Sequence, residues 1–295
     1  MLKAYYDPVC NNSWINFDST RKHAMIAEKL QLIPYIQVRK PECNPLPYLQ
    51  RVHAANYLHA IEYGKQPLAH SPNLEWEPNT YLRALAAVSA IQAASLEALS
   101  SGTCVGAVCS GFHHACFEHG GGFCTFNGLL VAALAIQELR PDASILILDF
   151  DFHFGNGTCD IIERLDLKNI TNVTAFGRWY GNLPNHPGIV PIQYNSPDRY
   201  KAIISAQTGL IEEKKWNFVI YQAGMDPHEG SVDGMPGITT EILEWRDNLV
   251  FSACKRAKVP VSFCMAGGYK SDRLTAEQLA DLHIGTFRHA ASVFC

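Results

Sequence analysis

Six consecutive residues, 149–154 (DFDFHF), alternate an acid or imidazole side chain with phenylalanine. Successive side chains of an extended chain point to opposite faces, so Asp151 and His153 share a face and can reach one metal ion. Asp226, at the end of another apolar run, would complete three protein ligands with a vacant coordination position, which is typical of a catalytic site. Two carboxylates and an imidazole suit zinc, and also Fe(II).

The same alternation has a plainer interpretation, a strand with one face exposed to water. It follows the apolar run 144–148 (SILIL), which is typical of a central strand in a parallel sheet. Because buried carboxylates on such a strand need a compensating cation, the sequence favours the metal site.

Two histidines and a tyrosine follow other apolar runs and could take part in hydrolysis. Near a metal, a neutral imidazole such as His113 or His114 can accept a proton from water. Adjacent residues on a loop can also diverge, so that one reaches water and the other a carboxylate such as Asp149. Tyr269 ends the segment AGGY, and its hydroxyl could donate to a developing oxyanion, although a tyrosine at a strand end is most often a packing residue.

Apolar runs rich in β-branched residues alternate along the chain with helical patterns. Strands are predicted at 2–6, 103–109, 144–151, 172–176, 218–223 and 260–265. Helices are predicted at 81–99, 128–139, 239–257 and 275–291, the last beginning with a capping box at Thr275 and Gln278. This order predicts a single-domain, three-layer α/β/α fold with a mainly parallel central sheet, covering residues 1–295.

Four of the predicted strands are followed by residues suited to chemistry. Their segments are GFHHA from Gly111, DFDFHFGNG from Asp149, QAGMDPHEG from Gln222 and AGGY from Ala266. Open parallel sheets bind ligands beyond the carboxyl ends of their strands. We therefore expect the four segments to meet at one edge of the sheet.

The composition limits the classes of partner and compartment. The 295 residues are 47% apolar and 18% charged with a net charge of −4, and the basic residues are scattered, so no nucleic-acid partner is expected. The N-terminal residues lack the pattern of a signal peptide, and apolar stretches such as 129–136 are too short to span a bilayer, which predicts a cytoplasmic protein without a membrane span. Ten cysteines without a CxxC pair are then expected to be free thiols.

Taken together, the motifs resemble the zinc-dependent histone deacetylase family of the arginase/deacetylase fold. The matching segments are YYDP near the start, VHAANYLHAI from Val52, GFHHACFEHGGGFCTFN from Gly111, LDFDFHFGNGT, YQAGMDPHEG and AGGYK. The pattern is most similar to class IV enzymes, because GFHH is followed by GGGFC, the strand by HxGNG, and Ile238 begins ITTEILEWRDNLVF.

The resemblance implies a role for each matching residue at the metal and the reacting bond. Asp151, His153 and Asp226 would be the ligands of one catalytic Zn²⁺. His114 would be the general base and acid, with His113 as its electrostatic partner. Tyr269 would polarise the substrate carbonyl.

The resemblance also implies surrounding roles. Asp149 would pair with His113 and help to hold a monovalent cation, K⁺, beneath the zinc. Gly122 and Phe123 would line the acyl-lysine channel. Asn156, which replaces an Asp of some relatives, would orient His114 without favouring its protonated form.

Some positions depart from the family pattern. Phe154 replaces a second His of many relatives, and we expect it to point away from the site with Phe150 and Phe152, against the helical layer. Residues 17–24 lack the usual His-Pro, and the segment from Asn172 aligns poorly, so either Trp179 or Tyr180 could be the aromatic residue opposite Phe123 in the channel.

The implied reaction is hydrolysis of an acyl-lysine amide in a protein or peptide, with an acetyl or a longer fatty acyl group. A small acetylated amine, such as an acetylpolyamine, is the alternative substrate. Acids at the pocket rim would favour such a cation, and the candidates are Glu75, Glu77 and Glu118, although a charge on such a loop is more often simply exposed to solvent. An inactive binding module is a minor alternative because every catalytic position is present, and a two-metal guanidine hydrolase lacks its further ligands. The sequence predicts no oligomeric state.

Overall fold

A computed structural model describes residues 1–11 and 18–295. Its strands form one eight-stranded sheet in the order β2-β1-β3-β8-β7-β4-β5-β6, and every neighbouring pair is parallel. The strands are β1 (Leu2–Tyr5), β2 (Ile36–Arg39), β3 (Cys104–Ala107), β4 (Ile145–Asp149), β5 (Ile170–Phe176), β6 (Ile189–Gln193), β7 (Phe218–Gln222) and β8 (Val261–Cys264).

Helices cover both faces of this sheet. They are α1 (Asp18–Gln31), α2 (Leu46–Val52), α3 (Ala55–Tyr63), α4 (Thr80–Ser101), α5 (Gly128–Leu139), α6 (Asn156–Leu165), α7 (Pro197–Glu213), α8 (Thr240–Ala257) and α9 (Ala276–Phe294). The predicted capping box begins α9, because Thr275 Oγ1 accepts from the Gln278 amide and Gln278 Oε1 accepts from the Thr275 amide. The single-domain α/β/α architecture is as predicted.

Two apolar cores lie on the two faces of the sheet. One packs α1, α7, α8 and α9 against one face and includes Leu146 and Leu148 of β4. The other packs α2 to α6 against the opposite face and includes Ile145 and Ile147. This alternation along β4 is that of a strand buried on both faces, which explains its continuous apolar run.

The alternation does not continue through the phenylalanines that follow. β4 ends at Asp149, and Phe150 and Phe152 enter the core with α7 and α8, whereas Phe154 enters the core with α6. The expectation that the three rings share one face was therefore wrong for Phe154. Bends after the strand end release the chain from the two-residue period on which that expectation depended.

Helix α4 is longer and more apolar than was expected of any segment from the sequence. By length and composition alone, α4 is long and apolar enough to cross a membrane, so the expectation that every apolar stretch is too short was wrong. Most of this apolar window is buried inside the protein, where α4 packs beside α5 and β3. The cysteines are all free, as predicted, and most are buried.

Candidate active site

The four segments singled out in the sequence lie side by side. They follow β3, β8, β7 and β4, which are consecutive neighbours at the centre of the sheet and all run in the same direction. Their carboxyl ends therefore meet at one edge, as expected. The side chains that could do chemistry are assembled there.

Asp151, His153 and Asp226 form the group of potential metal ligands found among the described residues, with one donor atom of each lying within 4.8 Å of the others. His153 Nδ1 lies 3.0 Å from Asp226 Oδ2 and 3.4 Å from Asp151 Oδ1. Asp151 and Asp226 are buried, and His153 is partly exposed. Two carboxylates and an imidazole around one point fit a divalent cation with an open coordination position.

Backbone amides hold the far oxygens of both carboxylates. Asp151 Oδ2 accepts from Gly267 N at 2.8 Å, and Asp226 Oδ1 accepts from Phe152 N at 3.0 Å. Asp151 Oδ1 and Asp226 Oδ2 are therefore the oxygens that face His153. A Cβ at position 267 would lie 2.5 Å from Asp151 Oδ2, and one at Gly224 would lie 2.8 Å from the same atom. Only glycine allows the backbone to approach the carboxylates so closely.

The close approach of the two carboxylates and the imidazole shifts the pKa of each of these groups. Burial, followed by the charge of Asp151, raises the pKa of Asp226 to about 6. Burial disfavours a charged His153, but hydrogen bonds and charges from Asp151 and Asp226 outweigh it and raise its pKa to about 10. The two acids thus require a positive charge between them, and a divalent cation at His153 Nδ1 would supply it in place of a proton.

His113 is paired with Asp149 as expected. His113 Nδ1 lies 2.8 Å from Asp149 Oδ2, and its Nε2 lies 3.6 Å from Asp151 Oδ1. The other oxygen of Asp149 accepts from Gln222 Nε2 at 2.9 Å. Burial lowers the pKa of His113, but the charges of Asp149 and Asp151 outweigh it and raise the pKa to about 9. This imidazole is therefore suited to carry a positive charge beside the site.

His114 is paired with an amide instead. Its Nδ1 lies 2.6 Å from Asn156 Oδ1, and its ring centre is 4.0 Å from that of His113. Burial, together with the charge of His113, holds the pKa of His114 well below its usual value. The two adjacent histidines therefore differ in charge, and His114 is the neutral one, suited to accept a proton.

Tyr269 and Phe123 lie at the mouth of the same site. Their ring centres are 6.1 Å apart, and both line a cavity of about 20 Å³ with Gly122, His113 and His114. Burial, followed by the charges of the nearby acids, raises the pKa of Tyr269 well above its usual value. The phenol therefore stays protonated and can donate a hydrogen bond.

Tyr180 and Trp179, the two candidates for the aromatic residue opposite Phe123 in the channel, have different surroundings. The ring centre of Tyr180 is 5.0 Å from that of His114, and its side chain is 44% exposed. Trp179 instead stacks on Phe154 with ring centres 4.5 Å apart. Tyr180 is the aromatic residue beside the site.

The three candidate rim acids occupy different surroundings. Glu77 is buried and pairs with Arg83, and exposed Glu118 pairs with Arg164. Glu75 is exposed and lines a small cavity that also includes Phe123. Among the three, only Glu75 is placed beside the predicted channel.

Two supporting residues were missed at the sequence level. Gln222 holds Asp149, and buried Lys22 donates to the carbonyls of Ala266 at 2.8 Å and Gly268 at 3.3 Å, next to Tyr269. Gln222 had a signal, because it begins a segment at a strand end. Lys22 had none, since a lysine in a polar stretch is ordinarily exposed.

Similar proteins were found both by sequence and by structure. A family model described as the histone deacetylase domain matches residues 17–284. An uncharacterized protein of Picosynechococcus sp. is 30% identical, over 91% of this chain and 87% of its own length. Histone deacetylase 2 of Arabidopsis thaliana is 27% identical, over 78% of this chain and 63% of its own length. The crystal structure of acetylpolyamine aminohydrolase from Burkholderia pseudomallei superposes with a TM-score of 0.80 at 17% identity, covering 99% of each chain.

Proposed function

Because the chain belongs to the histone deacetylase family and has the arginase/deacetylase fold, we propose that it is a zinc-dependent amidohydrolase that removes acyl groups from lysine side chains of proteins or peptides. The observation that carries the proposal is the potential metal-binding group Asp151, His153 and Asp226, whose members Asp151 and His153 line one cavity with His114 and Tyr269. Hydrolysis of an unactivated amide needs a general base, an electrophile and a hydrogen-bond donor to the oxyanion. His114, a metal ion held by the three ligands and Tyr269 would serve these functions in turn.

Asp151 and Asp226 would hold zinc through the oxygens that face His153, and His153 through Nδ1. Zinc bound there supplies Lewis-acid stabilisation of negative charge on oxygen. His114 accepts the proton of the attacking water at Nε2 and returns it to the leaving amine. Tyr269 donates its hydroxyl proton to the oxyanion in a hydrogen bond.

The remaining side chains orient the substrate and stabilise charge. His113, held by Asp149 at 2.8 Å, places a positive charge beside the oxyanion. Phe123, beside Tyr269, and Tyr180, beside His114, would flank the methylene chain of a lysine with aromatic rings. The acyl group would enter the cavity that Gly122, Phe123 and Tyr269 line.

A small acetylated amine is the second candidate substrate. It is the compound class in the name of the Burkholderia protein, and Glu75 beside Phe123 is the acid that would attract its cationic tail. The similarity to class IV enzymes, the K⁺ near Asp149 and the cytoplasmic location stay predictions.

The test is turnover by purified, zinc-loaded protein. Acetyl-, octanoyl- and myristoyl-lysine peptides would be assayed beside acetylputrescine and acetylspermidine, and kcat/KM compared. We expect the acetyl-lysine peptide to be the best substrate and Asp226→Ala to abolish turnover, while exposed Glu118→Ala retains it. A higher kcat/KM for the acetylpolyamines would mean that small acetylated amines, and not acyl-lysine, are the substrate. Full activity of Asp226→Ala would contradict the mechanism.

A further inference from the structure

The WRDN segment of α8 places a charged pair behind the metal-binding group. Arg246 is 0% exposed and its neighbour Asp247 is 1% exposed. Burial of a guanidinium has a large free-energy cost unless every donor finds a partner. The partners of Arg246 therefore indicate what the residue is for.

One nitrogen of Arg246 joins the two loops that carry the carboxylates. Its Nη1 donates to the carbonyl of Gly224 at 2.6 Å and to that of Phe150 at 3.5 Å. Phe150 directly precedes Asp151, and Gly224 lies two residues before Asp226. β4 ends at Asp149 and β7 at Gln222, and the last backbone hydrogen bond between them runs from Phe150 N to the carbonyl of Gln222 at 3.2 Å. Beyond it, the Phe152 amide donates to Asp226 Oδ1, and Arg246 adds a bridge between the two backbones.

Asp247 neutralises the guanidinium and fixes its orientation. Asp247 Oδ1 accepts from Nε of Arg246 at 2.8 Å and lies 2.8 Å from its Nη2 in an ion pair. Tyr221 donates its hydroxyl to the same carboxylate, and Thr286 Oγ1 donates to Asp247 Oδ2 at 2.6 Å. Because the pair is neutral as a whole, its effect on the site comes from geometry more than from its field.

We propose that Arg246 is a positioning residue of the metal centre, which fixes the separation of the β4 and β7 loops so that Asp151 and Asp226 meet on one divalent cation. The inference rests on the proposed zinc-dependent function. Carboxylate oxygens must lie at about 2.0 to 2.2 Å from zinc, so a small change in loop separation weakens binding. A lysine could carry the charge but cannot bond Asp247 and both carbonyls from one planar fork.

The experiment measures the Zn²⁺ affinity of the metal-free 295-residue chain by competition with a chromogenic chelator. The variants are Arg246→Lys, Arg246→Met and Thr286→Val, and the matched control is Arg83→Met, which removes another poorly exposed, ion-paired arginine. We expect both Arg246 variants to bind Zn²⁺ roughly 10- to 100-fold more weakly, Thr286→Val to show a smaller loss, and Arg83→Met to retain wild-type affinity.

The outcomes separate this inference from the proposed function. Wild-type protein that binds no Zn²⁺ would overturn both. Equal affinities of wild type and folded Arg246 variants would overturn the positioning role alone, as would an equal loss in Arg83→Met. If neither Arg246 variant folds, Thr286→Val decides. Wild-type Zn²⁺ affinity in Thr286→Val would mean that Arg246 serves only the stability of the fold, which would overturn the positioning role. A loss of Zn²⁺ affinity in Thr286→Val but not in Arg83→Met would support it.

Discussion

His114 Nδ1 lies 2.6 Å from Asn156 Oδ1. The amide oxygen can only accept, so Nδ1 carries the proton and Nε2 keeps its lone pair. The neighbouring imidazole, His113, faces the carboxylate of Asp149 instead. An amide beside one histidine and a carboxylate beside the other thus give the two adjacent imidazoles different protonation states.

Asn156→Asp tests that difference. A carboxylate beside His114 would raise its pKa, which burial and His113 now hold well below the usual value. Because the base must be unprotonated, the acid limb of the kcat/KM profile should move to higher pH by about one unit or more, with the alkaline plateau retained. The exposed Asn182→Asp is the control for added charge, and coincident profiles of all three proteins would contradict the base assignment.

Tyr269→Phe tests the oxyanion donor. Loss of the hydroxyl should lower kcat by about 10²- to 10³-fold with little change in KM, because the hydrogen bond strengthens in the transition state. Steady-state kinetics on an acetyl-lysine peptide measure this, and Tyr180→Phe is the matched control with near-normal kcat. Undiminished turnover by Tyr269→Phe would remove the phenol from the mechanism.

The sequence predicted the central strands and the residues at their ends, because both depend on local pattern. Strands buried on both faces are continuous apolar runs, and polar residues directly after them stand out. The edge strands β2 and β6 were missed because they are partly exposed, and their runs are short and mixed. Local pattern therefore predicts the centre of the sheet better than its edges.

Contacts between distant parts of the chain were beyond the sequence. Lys22 meets the carbonyl of Ala266 across 244 residues, and no pattern near either residue indicates the pair. The path of the chain after β4 was also missed, because bends after Asp149 send Phe154 to the opposite core from Phe150. Asp151 and His153 still meet Asp226 because backbone amides fix the carboxylates, rather than because one strand presents a continuous face.

His53 should make stability depend on pH. Its Nδ1 donates to the carbonyl of Cys116 at 2.9 Å, its Nε2 accepts from Asn127 N at 2.8 Å, and burial lowers its pKa from 6.5 to about 4. In the unfolded chain the His53 imidazole is protonated below about pH 6.5, whereas in the native protein it stays neutral down to about pH 4. The free energy of unfolding should therefore fall by about 3 kcal/mol as the pH decreases across this range.

Urea unfolding at several pH values checks this contribution. His53→Gln should be less stable than wild type at pH 7, and the difference should narrow by about 3 kcal/mol towards pH 4. The exposed His59→Gln in α3, the helix that follows His53, is the control and should follow the wild-type curve. A constant difference between wild type and His53→Gln would show that the buried imidazole does not titrate as described.

Two glycine-to-alanine changes should affect different properties of the protein. A Cβ at Gly267 would lie 2.5 Å from Asp151 Oδ2, so Gly267→Ala should displace the carboxylate and weaken Zn²⁺ binding by about tenfold or more. Gly285 lies within α9, and a Cβ there meets nothing within 4 Å, so Gly285→Ala should stabilise the protein by about 0.5–1 kcal/mol and leave Zn²⁺ affinity unchanged. Chelator competition and urea unfolding measure the two effects. Wild-type Zn²⁺ affinity in Gly267→Ala would mean that the loop can move away from Asp151, and that close backbone approach is not required to hold the carboxylate in place.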